Sequence, residues 1–395
     1  MVSAAAAGAA RIIERMRGTT SRKRPRRPAL RAAALALGTW AALSDGAASS
    51  AAAASAASPA AHSARAPEPA RHRHAQAAPA QHFTRAQRAA FGAFASDLAA
   101  REGLPAHWVL AQLDKARHVA AVRRLVMPPP TGQPKNWQAY RERFVEPQRV
   151  GAGLAFWRDN EAWLQRAEAE YGVPPQIVVA IIGVETFYGR IVGNYRVLDA
   201  LSTLAFDFPP DRKDRSGFFR SELEAFLLWC HRESLDPIEP RGSYAGAIGL
   251  PQFMPSSLLR YGVAFDGGTH VDLRRSAADA IGSVANYLAQ FGWQRGMATT
   301  FDVEPPADDS ARAALLAPDI VPSFSAAEMT ERGARLSPAG LAHEGRLALV
   351  TLNNGGSAPS YFAGSANFYV ITRYNWSSYY AMAVVALAEA LVAAR

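Results

Sequence analysis

Glu185 is the residue whose surroundings point most clearly to chemistry. It lies near the end of an apolar run, residues 174 to 189, with the sequence PPQIVVAIIGVETFYG. Because isoleucine, valine and alanine precede it, packing of this run would remove water from the carboxyl group, and lost hydration disfavours the charged form. We therefore expect the pKa of Glu185 to rise toward neutrality. A carboxyl group that keeps its proton near pH 7 can protonate a leaving-group oxygen, as glycosidic bond cleavage requires.

The run around Glu185 has the features of a helix. Pro174 and Pro175 suit a first helical turn, and Gly189 suits the C-terminal end. Apolar residues occupy nearly all sides, so the sequence predicts a central helix and not a surface helix. A purely structural role, with Glu185 neutralised by Arg190, is the alternative for a buried glutamate taken alone.

Two further segments carry groups that suit a sugar ligand. Residues 242–257, GSYAGAIGLPQFMPSS, combine three glycines, which let a backbone approach a ligand, with polar groups such as Ser243 and Gln252. Residues 367–380, NFYVITRYNWSSYY, place aromatic rings beside Asn375. Aromatic faces pack against the C–H faces of sugars, so together the two segments predict a saccharide cleft.

Composition and charge limit the classes of protein to which this chain can belong. Of the 395 residues 49% are apolar and 19% are charged, which is typical of a globular chain. Residues 1–80 hold 12 Lys and Arg against three acidic residues, which accounts for the whole net charge of +9, and the charges of the remaining chain cancel. A nucleic-acid partner is therefore not expected, and no nucleic-acid motif is present. We expect a monomer.

The N-terminal region predicts export. A basic cluster at residues 22–31 precedes the apolar run 32–43, so residues 1–50 are interpreted as a signal peptide or an N-terminal anchor. Residues 51–82 are rich in Ala and Pro and are predicted to be a disordered linker. Cys230 is the single cysteine, which excludes an intrachain disulfide and leaves no cysteine near the signal for a lipid anchor. The sequence thus predicts a periplasmic protein that is not a lipoprotein.

The rest of the chain predicts a mainly α protein of the α+β class. Helical periodicity runs through residues 83–298, interpreted as a helical part followed by a catalytic core. Residues 299–366 contain short alternating stretches such as TFDV and LALVTL, which predict a small strand-containing insertion. Residues 367–395 return to the core and end in a helix.

Several motifs together resemble, in order, the lytic murein transglycosylase B family over residues 83–395. They are GVET at 183–186, VLDALSTL at 197–204, GSYAGA at 242–247, PQFMPSS at 251–257, AIGSVANY at 280–287 and the segment 367–375. The resemblance implies a lysozyme-like core domain with helical and small β additions that acts on peptidoglycan in the periplasm. It also implies peptidoglycan glycan strands as partner, and possible contacts with cell-wall synthesis proteins.

The resemblance assigns roles to individual residues. Glu185 corresponds to the catalytic acid, and Arg215 falls near a substrate-side arginine loop, although this chain has extra residues between Phe208 and Phe218. For Tyr140 and Tyr287, packing in the core is the alternative to a place in the cleft. The residues implied to line the glycan cleft are Tyr140, Ser243, Gln252, Tyr287, Tyr374, Asn375 and Tyr380.

The activity implied by the resemblance is cleavage of the β-1,4 bond between N-acetylmuramic acid and N-acetylglucosamine with a 1,6-anhydromuramoyl product. Glu185 would act first as acid and then as base. One alternative is a hydrolytic muramidase in which Asp199, Asp207 or Glu222 positions a water molecule. The other is a peptidoglycan-binding protein without catalysis.

The family can hold a cation in an EF-hand-like loop, where this chain has residues 265–272, FDGGTHVD. Only Asp266 and Asp272 are acidic there, whereas a calcium loop uses several more oxygen ligands at alternate positions. We therefore expect no cofactor and no metal site. One structural cation near Asp266 and Asp272 is the weaker alternative.

Overall fold

The computed structural model describes residues 82–127 and 135–395. The expected signal or anchor, residues 1–50, lies outside the described residues, as does the expected linker apart from its last residue. Of the structure 54% is helical, in 16 helices with few strands, which confirms the prediction of a mainly α protein.

Four short to medium helices begin the described chain. The first starts at Thr84, whose hydroxyl accepts a hydrogen bond from the backbone N–H of Gln87 while the Gln87 side chain accepts one from Thr84 N–H, a capping box. Gly103, in the left-handed region, ends it. The four helices are α1 (Arg85–Glu102), α2 (Ala106–Asp114), α3 (Ala120–Leu125) and α4 (Trp137–Glu142).

The central helix is the one that carries Glu185. Helices α5 (Pro147–Asp159) and α6 (Glu161–Tyr171), separated at Asn160, lead into α7 (Pro175–Thr186). Pro174 is the N-cap of α7 and Pro175 its first residue, as the sequence predicts. Nine of the twelve residues of α7 are buried, so hydrophobic burial stabilises it from all sides.

The C-cap of α7 is Phe187, two residues before the predicted Gly189. The helix ends at Thr186, because Phe187 and Tyr188 adopt positive φ angles of 50° and 56°. Side chains of this kind rarely occupy the left-handed region, so the surrounding structure must hold them there. Gly189, at a φ of 88°, belongs to the same turn, so tertiary packing and a glycine together define the turn that follows Glu185.

The next elements bring the glycine-rich segment beside α7, where the Thr186 hydroxyl donates to Leu250 O. A two-stranded antiparallel pair, β1 (Tyr195–Arg196) and β2 (Arg241–Gly242), joins the region after α7 to the start of residues 242–257. The helices of this region are α8 (Val197–Phe206), α9 (Ser216–Arg232), α10 (Pro255–Tyr261) and α11 (Ala277–Gln290).

A small antiparallel sheet follows, in the order β4-β3-β6-β5. Its core is a separate cluster that includes Leu315, Met329 and Leu349. The strands are β3 (Thr300–Glu304), β4 (Arg335–Leu336), β5 (Ala348–Asn354) and β6 (Ser357–Gly364), and the helices between them are α12 (Asp309–Leu316), α13 (Ala326–Glu331) and α14 (Pro338–Leu341).

The chain then returns to the main core through α15 (Ala366–Tyr374) and α16 (Ser378–Ala393). Helix α16 packs against α7, and its first turn, with Tyr380, lies beside Glu185. Among the described residues no single helix is long and apolar enough to cross a membrane; α15 and α16 together would be, but they meet at a bend of 109°.

Candidate active site

Glu185, at the C-terminal end of α7, lines a cavity between α7, α11, α15 and the glycine-rich segment. The cavity encloses about 470 Å³, part of it open to solvent. Glu185 is partly accessible through it and provides the only carboxyl group among its lining residues. Four other residues predicted for the glycan cleft also line it: Gln252, Tyr287, Tyr374 and Asn375.

The environment of Glu185 favours its protonated form. Desolvation raises the pKa of Glu185 from its ordinary value of 4.5 to about 7. A hydrogen bond of 2.6 Å, donated by the Tyr380 hydroxyl to Glu185 Oε1, opposes this rise because it stabilises the carboxylate. The balance leaves a group that can both give and accept a proton near neutral pH.

Tyr380 does not line the cavity but supports the carboxyl group from behind. It lies in the first turn of α16, where the Ser377 side chain accepts a hydrogen bond from Tyr380 N–H. Burial raises the pKa of Tyr380 well above its ordinary range, so its hydroxyl stays protonated and acts as a donor. Its ring stacks on Tyr374, with an angle of 12° between the planes.

The hydroxyl groups of the two lining tyrosines are committed to backbone oxygens. Tyr374 donates to Pro251 O at 2.6 Å, and Tyr287 donates to Arg373 O at 2.5 Å. Their rings lie 4.9 Å apart, centroid to centroid. Because their hydroxyls are engaged, these residues contribute aromatic surface to the cavity lining, and such surface suits the C–H face of a sugar. Tyr287 is also buried, so this residue both lines the cavity and packs in the core.

The glycine-rich segment supplies one wall. Gln252 has a φ of 50°, and its amide donates to Gly249 O at 2.9 Å. Gly249, at a φ of 74°, approaches Leu273 so closely that a β carbon would lie 2.3 Å from Leu273 O. Ser243 is buried, and its hydroxyl accepts from Ala247 N–H at 3.0 Å, so it shapes this segment and does not line the cavity.

Besides Tyr380 and Ser243, two further predicted cleft residues lie outside the cavity lining. Tyr140 packs edge-on against Tyr379 at 5.9 Å; burial and the charge of Glu185 raise the pKa of Tyr140 to about 12. Arg215 is the N-cap of α9, and its guanidinium lies over the ring of Phe218 at 4.8 Å.

Four lining residues were not among the predicted site residues. They are Ala247, Phe253, Met254 and Ser257. All four belong to the segments GSYAGA and PQFMPSS, so the motifs contained the signal, but which of their side chains face a cavity depends on the loop conformation.

The carboxylates considered for positioning a water molecule are engaged elsewhere. Asp199 accepts from Arg117 N–H at 2.9 Å, and Asp207 contacts His118 Nε2 at 2.7 Å. Glu222 accepts from the backbone N–H and the hydroxyl of Ser256 at 2.9 and 2.7 Å. None of the three lines the Glu185 cavity.

The two acidic side chains of the loop at residues 265–272 both accept hydrogen bonds within the protein. Asp266 accepts from Gly268 N–H and Ser276 Oγ, and Asp272 accepts from two backbone N–H groups. Sequence reasoning missed Asp279, which is fully buried and accepts from the backbone N–H of Phe265, Asp266 and Asp272. Within the described part of the chain, no three metal-ligating side chains cluster.

Comparison with known proteins decides the family. Residues 86–389 match the family described as "Transglycosylase SLT domain". The chain is 40% identical over 294 residues to "Membrane-bound lytic murein transglycosylase B" of Escherichia coli K12, an alignment that covers 72% of this chain and 77% of the relative. The chain belongs to the lytic murein transglycosylase B family.

Solved structures agree with this assignment. The transglycosylase superposes on soluble lytic transglycosylase SltB1 of Pseudomonas aeruginosa with a TM-score of 0.69 and 40% identity, covering 78% of this chain and 99% of that one. It superposes on SltB3 of the same organism, solved with NAG-anhNAM-pentapeptide, with a TM-score of 0.66 and 30% identity, covering 78% and 79% of the two chains. The predictions of a lysozyme-like core and of a lytic transglycosylase, a lyase, are confirmed.

Proposed function

We propose that this transglycosylase cleaves the β-1,4 bond between N-acetylmuramic acid and N-acetylglucosamine, with Glu185 as both acid and base and a 1,6-anhydromuramoyl end as product. The observation that carries this proposal is that Glu185 is the single carboxyl group lining the cavity. A glycosidase that uses water or a covalent intermediate needs a second carboxylate across the scissile bond.

The first step is protonation of the leaving group. With a pKa of about 7, Glu185 holds its proton in a large share of molecules at neutral pH. It gives this proton to the glycosidic oxygen, the C1–O bond breaks, and N-acetylglucosamine leaves with the proton. Positive charge develops at C1 and the ring oxygen of the muramoyl unit, next to the carboxylate that has just formed.

The second step reverses the role of the same group. The Glu185 carboxylate takes the proton from the C6 hydroxyl of the muramoyl unit, and O6 bonds to C1. Atoms and charge balance without water, and Glu185 regains the proton it gave away. The Tyr380 hydroxyl supports this step, because its hydrogen bond to Oε1 stabilises the carboxylate between the two transfers.

The other cavity residues suit a glycan strand. We expect the rings of Tyr287 and Tyr374 to pack on sugar faces, and Gln252 and Asn375 to offer polar contacts. In this scheme three predicted residues act indirectly, through the shape and charge of the site: Tyr140, Ser243 and Tyr380. We propose that Arg215 acts further along the strand. Because SltB3 was solved with a NAG-NAM-pentapeptide, we propose peptide-bearing strands as the substrate.

A location in the periplasm fits this substrate. The Escherichia coli relative is a murein transglycosylase, and murein lies outside the cytoplasm. The basic and apolar N-terminal residues support export. Contacts with cell-wall synthesis proteins remain a prediction from the family resemblance.

Product analysis tests the proposed chemistry. Purified sacculi are digested with the protein, and the released muropeptides are analysed by mass spectrometry before and after borohydride treatment. We expect ends that are lighter than hydrolysed ends by one water and that borohydride does not reduce. Reducible ends would instead establish the hydrolytic muramidase, and strands that are bound without any release would establish a binding protein.

A further inference from the structure

A second cavity lies on the other side of the glycine-rich wall. It encloses about 1330 Å³, part of it open to solvent, between the C-terminal end of α9 and residues 270–275. Neighbouring residues of the wall face different cavities: Ala247 and Ser257 line the Glu185 cavity, whereas Ile248 and Leu258 line the second cavity. The two cavities therefore share one wall, residues 247–258.

This shared wall is held by backbone hydrogen bonds. Ile248 and Phe253 bond to each other in both directions, at 2.8 and 3.1 Å, and Leu250 N–H donates to Leu273 O at 2.8 Å. The Thr186 hydroxyl also donates to Leu250 O at 2.8 Å, which ties the wall to the end of α7 beside Glu185. A ligand in the second cavity would thus contact the structure that positions the catalytic carboxyl group.

The second cavity combines an apolar centre with balanced charges at its edge. Trp229, Leu235 and Leu258 contribute apolar surface. Arg275 and Glu239 form no ion pair with any residue that the structure describes. The charged lining residues comprise three arginines, Arg241, Arg274 and Arg275, and three carboxyl groups, Glu233, Glu239 and Asp272. Three of them already have partners: Glu233 contacts His270, Arg274 donates to Asn194, and Asp272 accepts from two backbone N–H groups. Such a lining complements a molecule that carries both charges around an apolar middle.

Two buried donors in this lining lack acceptors. Trp229 Nε1 and Arg274 Nη1 are inaccessible to solvent and have no hydrogen-bond partner among the described residues. Buried donors without acceptors are uncommon and unfavourable, and each calls for an explanation. Because both atoms are inaccessible to solvent, a ligand reaches them only after a side-chain movement, whereas the exposed guanidinium of Arg275 can meet a carboxylate directly.

We propose that the second cavity binds the peptide stem of the substrate, as a short zwitterionic peptide with a free carboxylate. This inference rests on the proposed function, because the peptide is that of the proposed substrate. The carboxylate is recognised by Arg275, an ammonium group by Glu239, and small apolar side chains by Trp229.

Calorimetric titration with free pentapeptide tests this inference. The peptide is released from murein by an amidase, and a second sample is amidated at its C-terminal carboxylate. We expect the free peptide to bind and the amidated form to bind roughly fivefold more weakly, since one charge contact is lost.

Two variants locate the binding. Leu235→Trp fills the cavity and should weaken peptide binding at least about tenfold, and Arg275→Ala should weaken it roughly fivefold. Arg335→Ala, which removes an exposed arginine paired with Glu304 on the sheet, is the matched control and should bind like the unmodified protein. Unchanged thermal unfolding midpoints show that the variants fold.

The inference is overturned if the pentapeptide gives no binding heat at about 1 mM, or if neither Leu235→Trp nor amidation weakens binding. Cleavage of peptide-free glycan strands by the unmodified protein separates this inference from the proposed function. Cleavage without peptide binding overturns the inference alone, whereas peptide binding without cleavage of any strand overturns the proposed function alone.

Discussion

Two desolvated glutamates of this transglycosylase, Glu185 and Glu222, have different surroundings. Burial raises the pKa of both, although Glu185 is partly accessible whereas Glu222 is buried. Both oxygens of Glu222 accept hydrogen bonds, from the backbone N–H and the hydroxyl of Ser256 at the start of α10. Glu185 accepts a hydrogen bond from Tyr380 at Oε1 and lines the cavity.

The contrast separates a structural carboxyl group from a reactive one. Desolvation alone does not distinguish them, since it raises the pKa of both. The difference is that Ser256 donates to each oxygen of Glu222, which does not line the Glu185 cavity, whereas Glu185 lines it. A desolvated carboxyl group that faces a cavity is available for proton transfer.

The largest expected effect is on catalysis. Glu185→Gln keeps the shape of the side chain but removes the transferable proton, so the rate of sacculus digestion should fall by about 10²–10⁴-fold. The decrease in turbidity of a sacculus suspension measures this rate. Glu224→Gln, on α9 in an exposed ion pair with Arg101, is the control and should digest normally. Digestion by Glu185→Gln at the native rate would reject the assignment.

The next effect concerns Glu222 and should appear in stability. Glu222→Ala leaves the Ser256 N–H and hydroxyl without their acceptor, which should lower the free energy of unfolding by about 2–3 kcal/mol. Glu224→Ala, on the same helix, removes only a solvent-exposed pair and should cost less than about 1 kcal/mol. Urea unfolding measures both. Equal losses for the two variants would contradict a structural role for Glu222.

A third prediction uses the pH dependence of stability. The pKa of Glu185 has its ordinary value of 4.5 in the unfolded chain and rises to about 7 in the folded protein. At a pH between these two values the folded protein therefore keeps a proton that the unfolded chain has released. Its contribution to stability therefore decreases as pH rises through this window. Glu185→Gln has no such proton and should be more stable than the native protein at pH 8, by about 1–3 kcal/mol.

Urea unfolding at pH 4 and pH 8 checks this sign. The advantage of Glu185→Gln should be present at pH 8 and absent at pH 4, where the native carboxyl group is protonated in both states. A variant that is less stable than the native protein at pH 8 would show that the native carboxylate is well solvated or paired.

The smallest effect tests the Tyr380 hydrogen bond. Tyr380→Phe removes the interaction that stabilises the Glu185 carboxylate, so the pKa of Glu185 should rise further. Because the first step needs the protonated form, the alkaline limb of kcat/KM, near pH 7 in the native protein, should move upward by about one pH unit. Tyr361→Phe, on β6, should leave the limb in place.

The sequence predicted the parts of the site that depend on local pattern. Pro174, Pro175 and the apolar run placed α7 and the desolvated Glu185, because prolines at a helix start and apolar residues on all sides are local signals. The end of α7 could not be predicted, since Phe187 and Tyr188 adopt backbone angles that their own preferences oppose.

The hydrogen-bond partners of the carboxyl groups could not be predicted from local sequence pattern. Asp279 bonds to a loop that precedes its helix, and Glu222 bonds to Ser256, 34 residues away. Tyr380 was placed near Glu185 through the family resemblance, not through periodicity. Such contacts depend on how distant elements pack. A single sequence gives the residue types but does not show which distant residues come into contact.

The hydrogen bond from Tyr380 to Glu185 spans 195 residues of chain, with the whole small sheet between them. Contacts of such long sequence separation form late, after loop-closure entropy has been overcome. A nascent or partly threaded polypeptide that lacks α16 would thus hold its acidic group without the supporting phenol. The surroundings of Glu185 are therefore complete only once α16 has packed against α7.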